Sequence, residues 1–109
     1  MEIIIEQGDE LTISLSGQLD TLTAVDFGKE IQNVLNGESF NVVVNGKMLT
    51  YVSSAGLRLL LTLQKGMKAK GGTLRLKNIR PEIMEIFNIT GFSSILTIEQ
   101  NYFSLLGLR

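Results

Sequence analysis

The chain contains no cysteine and no histidine among its 109 residues. Without cysteine it can form neither a disulfide framework nor a thiolate nucleophile, so its composition is compatible with a reducing compartment. Without histidine, Ser-His-Asp catalysis is excluded, and zinc sites or other metal sites with imidazole ligands are not expected. The sequence therefore gives no reason to expect a metal or another cofactor.

The chain also lacks an excess of charge of either sign, because acids and bases are interspersed and the formal net charge is −1. The sequence shows no basic stripe of the kind that binds nucleic acid or an anionic membrane. Apolar runs stay well short of the ~20 residues that span a bilayer, and the N-terminus does not resemble a signal peptide. We therefore expect a cytoplasmic protein that binds neither nucleic acid nor a membrane.

Hydrophobic residues make up 44% of the chain, which suits one domain over residues 1–109 with a core of its own. Strand-like patterns occur at 2–7, at 11–19, at 73–76 and at 95–98. A further pattern occupies 40–44 and 49–52, on either side of residues 45–48. Helical spacing predicts helices that begin at 23, 54 and 81, and a short terminal helix at 101–106. The order ββαβαβαβα indicates an α/β fold, a mixed sheet with an N-terminal hairpin and βαβ crossovers. Asn45-Gly46-Lys47 is interpreted as a loop or bulge that leads into residues 49–52.

The stretch from Leu49 to Leu61 is the most informative part of the chain. A predicted strand is followed by Ser53, Ser54, Ala55 and Gly56, and then by a leucine-rich helix. Small residues and a glycine let the backbone turn sharply and place hydroxyl groups at the first turn of the helix. The N–H groups of that turn have no intrahelical partner and favour negative charge. Ser54 is therefore either an unmodified N-cap or the attachment point of a phosphoryl group.

A second junction follows the strand at 11–19. Thr23 and Asp26 predict a capping box at the start of the next helix. Asp20 is either a helix-initiating acid stabilised by the helix dipole or part of a functional site. Thr21 is interpreted, like Thr23, as a cap.

The enzyme motifs that such serines suggest do not fit. A nucleophile elbow needs Gly-x-Ser-x-Gly, but Val52 stands where the first glycine should be. A Ser-x-x-Lys dyad fails because Leu57 occupies the lysine position, and Gly71-Gly72 and Gly107 lie in the wrong contexts for a phosphate loop. We therefore predict a protein that is not an enzyme, with the hydroxyl of Ser54 as its best-placed reactive group.

Leu-Thr-Tyr-Val-Ser-Ser-Ala-Gly-Leu-Arg at 49–58, followed by the leucine-rich helix, resembles the STAS domain family. The resemblance is greatest to the small stand-alone anti-sigma factor antagonists of bacteria. Ser-Gly-Gln-Leu-Asp at 16–20 is similar to the Gly-x-Leu-Asp signature of that family. Gly-Gly-Thr-Leu at 71–74 and Ile-Thr-Gly-Phe at 89–92 also match its spacing. The resemblance covers essentially the whole chain and implies the STAS fold.

The resemblance implies a function in partner switching. An unphosphorylated antagonist of this kind binds an anti-sigma factor, commonly also a serine kinase, so that the sigma factor is released. The kinase inactivates the antagonist by phosphorylating a serine at the start of the long helix, and a PP2C-type phosphatase reverses the modification. We expect a monomer or weak dimer with these two partners. The alternative is a STAS scaffold or ligand-binding module of a larger sensory or signalling assembly that does not act on a sigma factor.

Alignment on Gly56 implies that the modified serine is Ser54. Ser53 then stands where many members have Asp, and Ala55 stands where they have a second serine. Because Ser53 also carries a hydroxyl, it is a rival phosphosite. The resemblance implies that the partner-binding surroundings of the phosphosite comprise Asp20, Thr21, Asn45, Ser53, Ala55, Gly56 and Arg58.

Overall fold

A computed structural model of the protein describes residues 1–99, and residues 100–109 lie outside the described part. Within residues 1–99, five strands form one sheet in the order β1-β2-β3-β4-β5. The strands are β1 (Glu2–Gln7), β2 (Leu11–Leu19), β3 (Asn41–Val52), β4 (Thr73–Lys77) and β5 (Ile98–Glu99). The helices are α1 (Thr23–Asn36), α2 (Ser54–Ala69) and α3 (Pro81–Thr90), followed by a short 3-10 helix (Phe92–Ser94). The predicted helix at 101–106 lies outside the described residues.

The sheet is mixed, as the sequence predicts. β1 and β2 form an antiparallel hairpin, and each later pair of neighbouring strands is parallel. Each parallel connection passes through one of the three helices. No helix within residues 1–99 has the length and apolar character needed to cross a bilayer.

The core lies between one face of the sheet and the inner faces of the three helices. The alternation of β2 buries Leu11, Ile13, Leu15 and Leu19. The predicted apolar faces of α1 and α2 pack against them, and the most deeply buried helical side chains include Phe27, Ile31, Leu60, Leu63 and Met67. Burial of one such side chain stabilises the fold by about 1.5–3 kcal/mol. This packing fixes where α1 and α2 begin relative to the sheet.

β3 is longer than the sequence indicates, because Asn45, Gly46 and Lys47 continue the strand. Its register against β2 shifts between Ser14 and Ser16 and again between Gly17 and Gln18, which are bulge-like irregularities. The predicted loop is therefore wrong and the predicted bulge is confirmed. A Cβ atom on Gly46 would lie 2.7 Å from the Cδ1 atom of Ile79, so the glycine allows that side chain to approach the strand closely.

The ends of α1 and α2 meet near the start of β3. The Nζ atom of Lys70 donates to the carbonyl oxygen of Gly37 at 2.8 Å and lies 5.5 Å from the centroid of the Phe40 ring. Phe40 is exposed and precedes β3, so the prediction that it begins a buried strand is wrong. Gly71, with φ of 81°, reverses the chain after α2.

The last strand, β5, is shorter than the predicted segment 95–98. After α3, Gly91 adopts φ of 83°, and the amides of Ile95 and Leu96 donate to the carbonyl oxygen of Phe92. These bonds hold residues 95 and 96 in a helical turn, so only Ile98 and Glu99 pair with β4. Leu96 is buried by this turn rather than by strand alternation.

Candidate functional site

The two junctions singled out in the sequence come together at one edge of the sheet. Leu19 of β2 pairs with Val52 of β3, and both are the last residues of their strands. The amide of Ser53 donates to the carbonyl oxygen of Leu19 at 2.8 Å. Asp20 and Ser53 therefore directly follow the ends of two adjacent strands. We call the surface formed by residues 20–25 and 51–58 the junction surface.

Ser53, not Ser54, is the N-cap of α2. Its backbone is extended, and its Oγ atom accepts a hydrogen bond from the amide of Gly56 at 3.2 Å. Its carbonyl oxygen accepts from the amide of Leu57 at 2.9 Å. A hydroxyl in this position satisfies one of the N–H groups that the first turn leaves free. The interpretation of Ser54 as the N-cap is therefore wrong.

Ser54 is the first residue of α2, and its side chain is exposed. Within residues 1–99 its hydroxyl has no hydrogen-bond partner, and the amides of Ser54 and Ala55 have no acceptor. The first turn of α2 carries no acidic side chain. A negatively charged group on this hydroxyl would therefore meet two amides and the positive end of the helix dipole.

Asp20 closes the turn that precedes α1. Its Oδ1 atom accepts from the amides of Leu22 at 3.0 Å and Thr23 at 2.9 Å, and the Oγ1 atom of Thr23 accepts from the amide of Asp20 at 2.9 Å. This reciprocal pair resembles a capping box formed three residues earlier than the predicted one, so the predicted pairing of Thr23 with Asp26 is wrong. Thr21 is exposed and makes no capping bond within residues 1–99, which contradicts its interpretation as a cap.

The hydrogen bonds to Asp20 also favour its ionised form. The backbone amide of Thr23 is the largest cause that lowers the pKa of Asp20 below its ordinary value of 3.8, and the hydroxyl of Thr23 and the amide of Leu22 act in the same direction. Partial burial opposes these effects. Asp20 is therefore an ionised, helix-initiating acid that also lies beside the start of α2.

Gly56 allows α2 to begin directly against the end of β2. A Cβ atom on Gly56 would lie 2.7 Å from the Cγ atom and 3.2 Å from the carbonyl oxygen of Leu19. Any larger residue would push the first turn of the helix away from the sheet. Ala55 is half-buried beside it, and Arg58 is exposed one turn further along the helix.

Asn45 does not lie at the junction surface. It pairs with Lys77 of β4 and precedes Val52 by seven residues of β3, a distance of roughly 20 Å along the strand. Its Oδ1 atom accepts from the amide of Lys47 at 3.0 Å and from the Nδ2 atom of Asn78 at 3.2 Å. Asn45 therefore stabilises the irregular middle of β3, away from Ser54.

The junction surface also carries apolar side chains that the sequence analysis does not assign to the site. Leu22 is 82% exposed, Val25 is 60% exposed and Tyr51 is 45% exposed. Leu22 and Val25 lie three residues apart at the start of α1, and Tyr51 is next to the last residue of β3. Exposed apolar groups beside polar ones are typical of protein-binding surfaces. The sequence feature that could have revealed this apolar surface is Leu22, a leucine within the otherwise polar turn Asp-Thr-Leu-Thr.

Comparison with known proteins places the chain in a family. The family model described as "Mlab, STAS domain" matches residues 4–98. BtrV of Bordetella bronchiseptica, whose name places it provisionally among the anti-sigma factor antagonists, is 30% identical over 99 residues, which are 90% of this chain and 85% of BtrV. The anti-sigma-B factor antagonist of Bacillus subtilis is 24% identical over 91 residues, which are 83% of this chain and 82% of that protein.

Solved structures show the same fold. The unphosphorylated form of the anti-sigma factor antagonist SpoIIAA matches with a TM-score of 0.80 and 20% identity, over 99% of each chain. The phosphorylated form of Bacillus SpoIIAA matches with a TM-score of 0.72 and 20% identity, over 99% of this chain and 100% of SpoIIAA. The family match and the identity to BtrV agree with the resemblance of the sequence motifs. The chain belongs to the STAS domain family, which includes anti-sigma factor antagonists.

Proposed function

We propose that the protein is an anti-sigma factor antagonist that loses its partner when Ser54 is phosphorylated. The observation that carries the proposal is the different state of the two neighbouring hydroxyls. Ser53 is engaged as an N-cap, whereas Ser54 is exposed and has no partner within residues 1–99. The names of the relatives support the class of protein, since two of them are called anti-sigma factor antagonists.

The geometry favours Ser54 over Ser53 as the acceptor of a phosphoryl group. Transfer to Ser53 would modify a half-buried residue whose Oγ atom already accepts a hydrogen bond from the amide of Gly56. Transfer to Ser54 leaves that cap intact and adds the new charge where two amides lack acceptors. The fold is therefore expected to persist after modification of Ser54.

The effect on a partner is the opposite. A phosphoryl group adds about −1.5 to −2 charges at neutral pH. A partner that covers the exposed side chains of Leu22, Val25 and Tyr51 would have to desolvate this charge at the edge of the contact. A penalty of ~3–4 kcal/mol weakens binding several-hundredfold, since ~1.4 kcal/mol is a factor of ten. An intact fold with a lost partner is the behaviour of a binary switch.

In this proposal the unphosphorylated protein binds an anti-sigma factor that is also a serine kinase, and a PP2C-type phosphatase restores the binding form. The protein acts in the cytoplasm as a monomer or weak dimer and needs no catalytic group of its own. Its contribution is a surface whose affinity changes with the state of one hydroxyl.

The proposal is tested by mass spectrometry of the intact protein after incubation with ATP and an anti-sigma factor serine kinase of the source genome. The wild type and Ser53→Ala are expected to gain ~80 Da, the mass of one phosphoryl group, and Ser54→Ala is expected to gain nothing. A gain that persists in Ser54→Ala would assign the modification to another residue and contradict the proposal.

Partner binding gives the second test. Ser54→Ala should retain the affinity of the unphosphorylated wild type, and Ser54→Asp should lose most of it, because the added carboxylate places charge at the same position. Ser94→Asp, which alters an exposed serine in the short 3-10 helix after α3, is the control and should bind normally, although it also removes the hydrogen bond from the Ser94 hydroxyl to the carbonyl oxygen of Gly91. Equal affinity of Ser54→Ala and Ser54→Asp would instead favour an unswitched scaffold, and a large assembly in gel filtration would support that alternative.

A further inference from the structure

Arg58 is a second exposed residue on the helix face that carries Ser54. It lies four residues after Ser54 in α2. Side chains at this spacing share a face, with Cβ atoms ≈ 5–6 Å apart. The flexible stem of Arg58 can therefore bring its guanidinium to a group bonded to the Oγ atom of Ser54.

We propose that Arg58 is the intramolecular partner of the phosphoryl group on Ser54. This inference rests on the proposed function, because it concerns the phosphorylated form. The planar guanidinium can donate two parallel hydrogen bonds to phosphate oxygens. An acid that precedes a base by four residues is also the favourable order for such a pair on a helix.

The charges around Arg58 leave it available for this pairing. The ion pairs within residues 1–99 involve Arg75, Lys77 and Arg80, and none of them includes Arg58. Asp20 is the one acid in residues 20–25 and 51–58, and its Oδ1 atom is already bound by two backbone amides. The first turn of α2 contributes no acid. The phosphoryl group would therefore be the first anionic partner within that turn of the helix.

The pair changes how phosphorylation acts on the junction surface. In the unphosphorylated protein, Arg58 is a cation without an ion-pair partner within residues 1–99, and it would attract a carboxylate on the partner. In the phosphorylated protein, the cation would be drawn to Ser54, and a carboxylate facing this surface would meet a dianion instead. Phosphorylation thus removes an attractive group and adds a repulsive one with a single modification.

The test uses protein with phosphoserine encoded genetically at position 54, so that no kinase is needed. The phosphate is titrated by ³¹P NMR in the otherwise unchanged chain and in the variants Arg58→Gln, Arg58→Lys and Lys65→Gln. Lys65 is the matched control, because it is exposed on the same strip of α2 but lies eleven residues after Ser54. That spacing is roughly 16 Å along the helix, which exceeds the Debye length of ≈ 8 Å at physiological ionic strength.

Loss of the guanidinium should raise the titration midpoint of the phosphate by about 0.3 pH units in Arg58→Gln, because the dianion loses its partner. Arg58→Lys should retain part of the effect, and Lys65→Gln should leave the midpoint unchanged. Asp20 is not expected to alter the comparison, since its lowered pKa keeps it ionised over this pH range.

An unchanged midpoint in Arg58→Gln, or equal shifts in Arg58→Gln and Lys65→Gln, would overturn the pairing. Either result would leave the proposed function intact if the kinase still modifies Ser54. Conversely, a kinase that ignores Ser54 would contradict the proposed function without affecting the measurement on encoded phosphoserine. The two failures are therefore distinguishable.

Discussion

Replacement of Ser53 by alanine should destabilise the protein more than replacement of its neighbour Ser54. The Oγ atom of Ser53 accepts the amide of Gly56 at 3.2 Å, and alanine leaves that amide without an acceptor. Loss of an N-cap of this kind costs about 1 kcal/mol. For a domain of this size the corresponding fall in Tm is about 4 °C. Ser54→Ala removes an exposed hydroxyl without a partner within residues 1–99, so its effect should stay within about 0.5 kcal/mol.

Urea unfolding of the unphosphorylated protein measures the difference directly. Ser53→Ala should lower the midpoint by roughly 0.5 M for an m-value near 2 kcal/mol/M, and the m-value itself should not change. Ser53→Asp is the control, because aspartate caps a helix as well as serine does, and it should remain close to wild type. A loss of stability in Ser54→Ala that equals or exceeds the loss in Ser53→Ala would refute the assignment of the cap. The argument for Ser54 as the free hydroxyl would then fail as well.

The other predictions concern the packing and charge of the same region. Gly56→Ala should destabilise the fold by about 1–3 kcal/mol in thermal or urea unfolding, because the new Cβ atom would lie 2.7 Å from the Cγ atom of Leu19. Gly28→Ala in α1 is the contrasting case: its Cβ atom would meet Leu59 at an ordinary 3.6 Å, so stability should be unchanged or higher by up to about 1 kcal/mol. If both changes destabilise equally, the close approach at Gly56 does not control the packing. Asp20→Asn should be less stable than wild type at pH 7. The difference should shrink as the pH falls from 3.8 through the lowered pKa of the folded state, because protonation removes the charge that the backbone amides stabilise. A difference in stability that is constant from pH 7 to pH 2 would contradict a role for the charge.

Much of the fold follows from hydrophobic periodicity. The strict alternation of β2 and the helical spacing of α1 and α2 specify both the type of each element and its buried face, since a shift of one residue would expose the core. Glycine and proline mark several boundaries for local reasons, as at Gly91 and Pro81. The element order then restricts the sheet to an N-terminal hairpin followed by parallel crossovers.

The errors arise where several local structures satisfy the same pattern. Ile95 to Ile98 has the β-branched and apolar character of a strand, but the carbonyl oxygen of Phe92 accepts two successive amides and keeps the chain in a helical turn. Asn-Gly at 45–46 has the composition of a turn, yet β3 continues through it between two neighbouring strands. Hydrogen bonds within the turn decide the first case and pairing with distant strands decides the second, and the residue pattern alone contains neither kind of information.

The site shows the same limit at the scale of single atoms. Asp20 and the serines follow neighbouring parallel strands and therefore share one edge of the sheet, but the sequence does not decide which serine is the cap. That choice depends on the hydrogen bond from the amide of Ser53 to Leu19, which fixes where the chain leaves β3. Likewise, Asp20 and Thr23 each have a side chain that can cap a helix, and in the structure each side chain accepts a hydrogen bond from the backbone amide of the other residue.

The choice of serine at position 53 has a further physical consequence for the proposed switch. An acid there could cap α2 equally well, but it would place a negative charge next to the hydroxyl that is to be phosphorylated. Ser53 supplies the cap without that charge. The nearby carboxylate of Asp20 is stabilised by two amides. The new dianion on Ser54 would therefore meet unpaired amides and Arg58, with no ionised neighbour in the first turn. In the proposed switch, capping by Ser53 is thus separate from charge, so that phosphorylation of Ser54 would change the charge of the junction surface while the fold stays the same.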